Sequence, residues 1–493
     1  MTAEFENTDL GNAHRLVHRH GANLRYHVEA RRWLVFDGRR FAPDETHEVQ
    51  RLAKHTALAI YEEAAAAEDS KLKEQLAGWA IRSQSGHHLR EMVTLAVSEP
   101  GIPVTARRLD ADPWVLNVLN GTLDLRTGTL RPHRREDIIT KLAEVEFDPT
   151  ATCPMFDAFL RRVLSDDAET IAFVQRAVGY SLTGRTDEQV LFLLYGTGAN
   201  GKSRLLTALR RLLGGYSVQA DSSSFTERRS EGPRNDLARL AEARLVLAIE
   251  ANEGRHLDEA VVKQLTGGDA IAARFLYGEH FEFQPQFKLW LAANHRPNIR
   301  SVGEAMWRRI RLIPFQVTIP ESERDPQLGD KLAAELPGIL RWAVDGCLAW
   351  QRAGLGSASA VLSATDEYRQ EMDLLAGFLT ERCVLNALAK APASHLYAAY
   401  REWCGRAGEE VKSQRWFGLR LRERPGLTKR KTGKSIVWHG VKPVDDVDDR
   451  ERASVNPPIA TPYVGHIADK VHEGASSTRF EQGDAWEPEE SAA

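Results

Sequence analysis

The chain has 493 residues, 42% of them hydrophobic and 27% charged, with a formal net charge of -4. This is the composition of an ordinary soluble globular protein with room for two or three domains. It excludes a chain-wide polyanion-binding character, so any nucleic-acid surface must be local. The four cysteines, Cys153, Cys347, Cys383 and Cys404, lack C-x-x-C spacing, which argues against a zinc site or a disulfide scaffold and suits a reducing cytoplasm. No apolar run reaches the ~20 residues of a membrane span, and the N-terminal stretch lacks a signal-peptide core. A cytoplasmic protein with no membrane partner is expected.

In chain order, residues 1 to about 150 read as a mixed α/β domain. His20-Gly21, Trp33 to Phe36 and Asp37-Gly38 suggest short strands and turns, Asp37-Gly38 being a good hairpin signal. From Glu48 to about Val97 the spacing predicts helix. Val115 to Leu125 returns to strand, with Asn120-Gly121 as a tight turn and Asp124 to Gly128 as a second. Asp110-Ala111-Asp112 would offer two carboxylates to a pair of metal ions if it lay on a strand. Pro113 follows at once, and a polar loop is the expected reading. Cys153 to Leu182 reads as helical, with Phe156, Phe159, Leu160, Val163 and Leu164 on one face.

Next comes QVLFLLYGTGANGKS, residues 189–203. Val190 to Tyr195 is an apolar run of strand length. Gly196-Thr197-Gly198-Ala199-Asn200-Gly201-Lys202-Ser203 matches G-x-x-x-x-G-K-[ST] at every fixed position, and Arg204 to Leu213 reads as helix. Glycines let the backbone N–H groups turn inward on a phosphate chain, and a helix N-terminus adds partial positive charge there. Lys202 would reach the β- and γ-phosphates of ATP, and the Ser203 hydroxyl would ligate Mg²⁺.

Two further apolar runs end in polar groups. Arg244 to Ile249 is followed by Glu250, with Glu253 close behind; a carboxylate at the end of a parallel strand can hold Mg²⁺ or polarise a water. Glu250 is the expected metal ligand, and Glu253 could share that role. Phe287 to Ala293 is a third strand ending at Asn294, whose amide could orient the lytic water or sense the γ-phosphate. Between them Ile271 to Phe283 predicts a hairpin with its tip near Tyr277-Gly278-Glu279, where Lys263, Arg274, Tyr277 and His280 could meet a nucleic-acid strand. In Trp307-Arg308-Arg309-Ile310, Arg308 or Arg309 could serve a neighbouring subunit as a finger on the γ-phosphate.

Helices are expected around Ile339 to Ala353 and Leu362 to Leu379. Tyr397, Tyr400 and Trp403 then mark another helical face. Lys412 to Arg424 is rich in arginine, including Arg415 and Arg420, and Lys429, Arg430, Lys431 and Lys434 precede an apolar run. A recognition helix and a basic wing that meet phosphates would look like this. Beyond about Val441 the chain turns acidic and is expected to be disordered.

The order GTGANGKS, LVLAIEANEG, KQLTGGDAIAARFLYGEHFEFQPQFKLWLAANHRP and WRRIRLIPF, over about residues 155–320, resembles superfamily 3 helicases of the D5-like, P4-type group from phage and plasmid replication. TDLGNAHRLVHRHGANLRY and DPWVLNVLNGTLDLRTGTLRPHRREDIITK resemble the D5 N-terminal domain, and LYAAYREWCGRAGEEVKSQRWFGLRLRERPG a C-terminal winged helix. The resemblance implies an α/β protein with a P-loop, AAA+-like helicase core (155–320) and a mixed α/β N-terminal domain (1–150). A helical connector (321–380), a winged-helix domain (381–442) and an acidic tail (443–493) would follow. It implies a homo-hexameric ring with ATP and Mg²⁺ at subunit interfaces, single- and double-stranded DNA as partners, and 3′-to-5′ movement in a bacterial host cytoplasm. Many relatives carry an N-terminal primase domain; this chain starts directly at the D5-type region, so primase activity is expected to be absent, and a separate primase or initiator could be a partner.

Overall fold

The computed structural model describes residues 5–227, 234–249, 256–274, 280–299, 303–422, 424–432 and 435–444. The described chain divides into two compact units, 1–373 and 374–493.

The first unit opens with α1 (Asp9–His20), β1 (Leu24–His27), β2 (Arg32–Phe36), β3 (Phe41–Pro43), α2 (Glu48–Ala66), α3 (Ser70–Ser83), α4 (Gly86–Ala96) and β4 (Pro103–Val104). The strands form one sheet in the order β3-β2-β1-β4. Ala13, Leu16, Ala53, Ala57, Met92 and Ala96 bind α1, α2 and α4 into a small core, as the three- and four-residue spacing requires. His20-Gly21, expected among the strands and turns, instead closes α1. Thr8 caps that helix, its side chain accepting from the Gly11 N–H.

An antiparallel meander follows: β5 (Val115–Val118), β6 (Gly121–Asp124) and β7 (Thr129–Arg131). Val118 pairs with Gly121, so the two-residue loop is Leu119-Asn120, one position earlier than expected. Asp110 and Asp112 lie in the loop before it and serve the fold. Asp110 accepts from the Thr140 N–H at 2.8 Å and from the Thr140 hydroxyl. Asp112 accepts two N–H groups of Arg126 at 2.9 and 3.1 Å. No strand carries the pair, so the expected polar loop holds and the two carboxylates are not set up as a metal pair.

The centre of the unit comprises α5 (Pro154–Val163), α6 (Ala168–Leu182), β8 (Leu191–Tyr195), α7 (Lys202–Leu213), β9 (Ser217–Asp221), α8 (Asn235–Ala238), β10 (Leu245–Ile249) and α9 (Glu259–Gly267). It continues through β11 (Ile271–Arg274), β12 (His280–Phe283), β13 (Lys288–Ala293), α10 (Glu304–Trp307), β14 (Ile310–Pro314), α11 (Leu328–Ala334), α12 (Leu336–Ala353) and α13 (Ser359–Glu371). Five strands form a parallel sheet in the order β14-β8-β13-β10-β9.

Both faces are covered, and the residues alternate accordingly. Phe192, Leu194, Leu247, Trp290 and Ile313 pack with α5, α6, α7 and α12. Leu191, Leu193, Val246, Leu289, Leu291 and Leu312 pack on the opposite side with α9, α10 and α13. Leu116, Val118 and Leu123 of the meander join the first of these cores, so the N-terminal strands are built into the same packing.

α6 crosses α12 at backbone contact. A Cβ on Gly179 would lie 2.1 Å from the Cys347 nitrogen, and one on Gly346 would lie 2.1 Å from the Gln175 carbonyl oxygen. Only hydrogen fits there.

The second unit contains α14 (Leu374–Arg382), β15 (Cys383–Pro392), α15 (Ala393–Ala407), α16 (Gln414–Arg422), β16 (Thr428–Thr432) and β17 (Ser435–Pro443), with an antiparallel sheet ordered β15-β17-β16. Leu362 to Leu379, expected as one helix, is broken at Met372-Asp373, where α13 ends and the unit boundary falls. Tyr400, Trp403, Phe378, Phe417 and Trp438 fill the core, and Tyr400 stacks on Phe417 at 4.7 Å. No helix among the described residues is long and apolar enough to cross a membrane. The acidic tail lies outside the described residues.

Candidate active site

The sheet topology selects one place for a ligand. From β8 the chain crosses to β9 at one edge, whereas from β13 it crosses back over β8 to β14 at the other edge. The crevice beyond the carboxyl ends of adjacent β8 and β13 is therefore a topological switch point, where open parallel sheets bind ligands. Register brings the strand ends level: Ala293 pairs with Tyr195, and Tyr195 with Pro314. Gly196 and Asn294, each the next residue along, emerge side by side.

Between β8 and α7 the chain must turn sharply and keep its N–H groups free. Gly201 caps α7 with φ +87°, a conformation that costs most residues but not glycine. A Cβ on Gly196 would meet the Phe315 carbonyl oxygen at 2.3 Å, so this position is sterically closed to side chains. Lys202 and Ser203 thereby open the helix, at the end where the partial positive charge collects. The Ser203 side chain is exposed.

Lys202 is buried, and its ammonium donates to the Gly196 carbonyl at 2.6 Å, to Asn200 Oδ1 at 3.0 Å and to Asn294 Oδ1 at 3.2 Å. Burial pushes its pKa down to about 8, because neutral oxygens replace only part of the lost hydration. Asn200 also donates from Nδ2 to the Phe315 carbonyl at 3.3 Å. It thus ties the lysine to the chain leaving β14, a link that the residue pattern gave no means of seeing. A cation ringed by neutral acceptors, beside helix-terminal N–H groups, is a donor set suited to a phosphate chain.

Of the remaining candidates, Glu250 and Glu253 lie outside the described residues, as does Tyr277; of His280 only the backbone, at the start of β12, is described. Ile249, one position before Glu250, ends β10 and is 45% exposed, so that strand also opens at this edge. Ile271 to Arg274 and His280 to Phe283 pair as the expected antiparallel hairpin. Arg274 keeps a buried Nε without a hydrogen-bond partner among the described residues, whereas Lys263 pairs with Glu259 at 3.4 Å.

The two arginines before β14 part company. Arg309 is buried and donates to Thr266 Oγ1 at 3.1 Å and to the Ala305 carbonyl at 2.6 Å, all within its own chain. Arg308 is exposed. In the second unit Arg415 is exposed and Arg420 lies over the Trp416 ring at 5.8 Å, while Lys429, Arg430 and Lys431 of β16 face solvent.

Sequence reading missed two buried cations at the opposite, amino-terminal edge of the sheet. Arg244 donates to the Leu182 carbonyl at 2.9 Å and lies over the Tyr216 ring at 4.6 Å. Lys288 donates to the Thr183 carbonyl and lies 4.9 Å from the Tyr180 ring centre. The available signal was a charged residue opening each of two fully apolar strands.

The fold and this site define an α/β protein in which a glycine loop presents a lysine at the switch point of a parallel sheet. Three family descriptions match successive stretches: "D5 N terminal like" over residues 13–165, a family of unknown function over 194–309, and "Poxvirus D5 protein-like" over 370–437. A candidate helicase of Acanthamoeba polyphaga mimivirus (L207/L206) is 29% identical, over 61% of this chain and 34% of its own. A candidate helicase of Frog virus 3 (022R) is 26% identical, over 68% of this chain and 42% of its own. A candidate primase of African swine fever virus (C962R) is 24% identical, over 60% of this chain and 34% of its own. The chain thus spans well under half the length of these relatives. Among solved structures, an apo form of the NrS-1 C-terminal region covers 85% of this chain and 96% of its own, at 11% identity and a TM-score of 0.49. The chain is thus similar, at its two ends, to D5-type family descriptions and, over about 60–70% of its length, to viral candidate helicases and primases.

Proposed function

We propose that this chain is an ATP-driven DNA helicase of a replication system, with a superfamily 3 core and a C-terminal winged helix, working as a ring of identical copies. The observation that carries the reading is the contact of Lys202 with Asn294 at the switch point. That contact supports reading Lys202 as the lysine of a first motif and Asn294 as the sensor amide of a third, with a γ-phosphate between them. Gly196 to Ser203 would hold the phosphates, and Ser203 with Glu250 would hold Mg²⁺, which neutralises charge developing on the transferred phosphoryl group. Arg308, exposed where Arg309 is internally bonded, is the better finger for a neighbouring copy's nucleotide. Lys263, Arg274, Tyr277 and His280 would follow one DNA strand, and Arg415, Arg420 and the basic strand β16 would meet duplex phosphates.

A second reading, a DNA-binding initiator in which ATP only controls assembly, draws on the compact second unit and its exposed Lys429-Arg430-Lys431. Lys202→Ala separates the two. A helicase loses ATP hydrolysis and strand displacement on forked duplexes but keeps DNA binding, whereas an initiator retains its whole function. Wild-type protein that stays monomeric with nucleotide and DNA, and cleaves no ATP, would sink the helicase reading.

A further inference from the structure

The N-terminal sheet holds a basic cluster with no part in the scheme above. Phe36 of β2 and Phe41 of β3 pair with ring centroids 5.4 Å apart, above a small core of Leu34, Val104 and Ile138. Arg25 of β1 lies over the Phe41 ring at 5.0 Å, and Arg135 lies over Phe36 at 5.8 Å. One aromatic platform therefore seats two guanidinium groups, leaving part of each planar edge for other partners. Arg25 spends Nη1 on the Gly21 and Leu24 carbonyls, at 2.8 and 2.6 Å, which fixes its position.

Arg108 completes the group. Burial first, and then the nearby charges of Arg108 and Arg135, hold the Arg25 pKa below its usual value, with Glu136 opposing them. Yet none of the three arginines forms an ion pair with Glu136 or with any other carboxylate among the described residues. Other arginines of the same domain do find acids: Arg126 meets Asp112 at 2.9 Å, Arg131 meets Asp137 at 2.7 Å and Arg15 meets Glu63 at 2.8 Å. Two guanidinium groups on one aromatic base, with the charge of Arg108 near enough to act on Arg25, repel one another, and an anion of fixed spacing would relieve that repulsion. Planar guanidinium forks suit phosphate oxygens.

We propose that Arg25, Arg108 and Arg135 form a binding site for the phosphate backbone of a DNA strand on the N-terminal domain, apart from the hairpin and the second unit. The site rests on the reading of this chain as a DNA-acting protein and adds the surface on which the strand is held.

The test is binding of fluorescein-labelled single-stranded DNA to the full chain by anisotropy across a salt series, comparing wild type with Arg108→Ala/Arg135→Ala. Arg25 is left intact because its carbonyl bonds serve the fold. The slope of log affinity against log salt is expected to fall by about 0.7 for each arginine removed, with melting temperature and DNA-free ATP hydrolysis unchanged. Arg108→Lys/Arg135→Lys keeps the charge but not the fork, and is expected to recover most of the slope. Equal affinity and slope in wild type and double alanine variant would overturn the proposal while leaving the helicase reading intact. Wild type that binds no DNA would overturn both. Loss of binding to anionic phospholipid vesicles, with DNA binding untouched, would reassign the cluster to a membrane surface and overturn it too.

Discussion

Asn294 Oδ1 accepts a hydrogen bond from the Lys202 ammonium at 3.2 Å, joining the ends of two strands whose first residues, Leu191 and Lys288, lie 97 positions apart in sequence yet which are adjacent in the sheet. On the proposed reading, an incoming γ-phosphate would compete for that lysine and leave the amide free to face the attacking water. Asn294→Ala is therefore expected to change ATP affinity little while lowering the hydrolysis rate by about 10²-fold. Steady-state kinetics check this split. A raised KM with kcat unchanged would instead make Asn294 a binding residue.

On the proposed reading, the buried lysine would give nucleotide binding a pH dependence of known sign. Its pKa is held near about 8 by burial, whereas phosphates favour the charged form. Above pH about 8 binding must take up a proton, so Mg-ATP affinity should fall with rising pH, by at most about tenfold per unit. Below pH about 8 this contribution should be flat. Titration of a fluorescent ATP analogue between pH 7 and 9.5 reads it, with Lys202→Ala expected to lose this component. The same shift acts on stability: between about 8 and the ordinary value of 10.5 the unfolded chain binds more protons than the folded one, so this group makes stability rise with pH in that window.

Arg308 and Arg309 are neighbours with different commitments. Arg309→Ala removes the bonds to Thr266 and the Ala305 carbonyl and is expected to lower stability by about 1–3 kcal/mol, read by denaturant unfolding. Arg308→Ala should leave folding and ATP binding alone and lower hydrolysis by about 10³-fold or more. If Arg308 acts in trans, mixing Arg308→Ala with Lys202→Ala subunits rebuilds some complete sites, and hydrolysis should partly recover. No recovery on mixing, in oligomers shown to exchange subunits, would place the arginine's action within its own chain.

The parallel core was legible because its signals are local. A fully apolar run followed by G-x-x-x-x-G-K-S specifies strand, loop and helix together, and the runs before Glu250 and Asn294 have the length of strands buried on both faces. What escaped the sequence depends on distant packing. α1 was missed because its buried Ala13 and Leu16 sit among histidines and arginines, which dilute the helical period. Arg244 and Lys288 open strands, where a charged residue ordinarily points to water; carbonyls and the Tyr180 and Tyr216 rings from elsewhere in the chain enclose them instead. The link from Asn200 to the Phe315 carbonyl spans 115 positions and has no pattern to announce it. The loop around Asp110 and Asp112 was expected from Pro113, but the partners that hold the two carboxylates, Thr140 and Arg126, lie 30 and 14 positions away.

The crossing of α6 over α12 supplies a test of the fold that leaves the candidate site untouched. Gly179 faces the backbone around Gly346 and Cys347, and an added methyl would stand 2.1 Å from one backbone atom and 2.4 Å from another. Backbone cannot swing aside as a flexible side chain does, so the helices must part and the layer behind β8 and β13 loosens. Gly179→Ala is expected to destabilise the chain by about 1–3 kcal/mol despite alanine's better helix propensity. A substitution at Gly405, where an added Cβ meets nothing within 4 Å, should be neutral or slightly stabilising on the propensity argument alone. Chemical denaturation of the two variants beside wild type distinguishes close packing from propensity; equal midpoints would show that the α6–α12 contact has slack the structure does not contain.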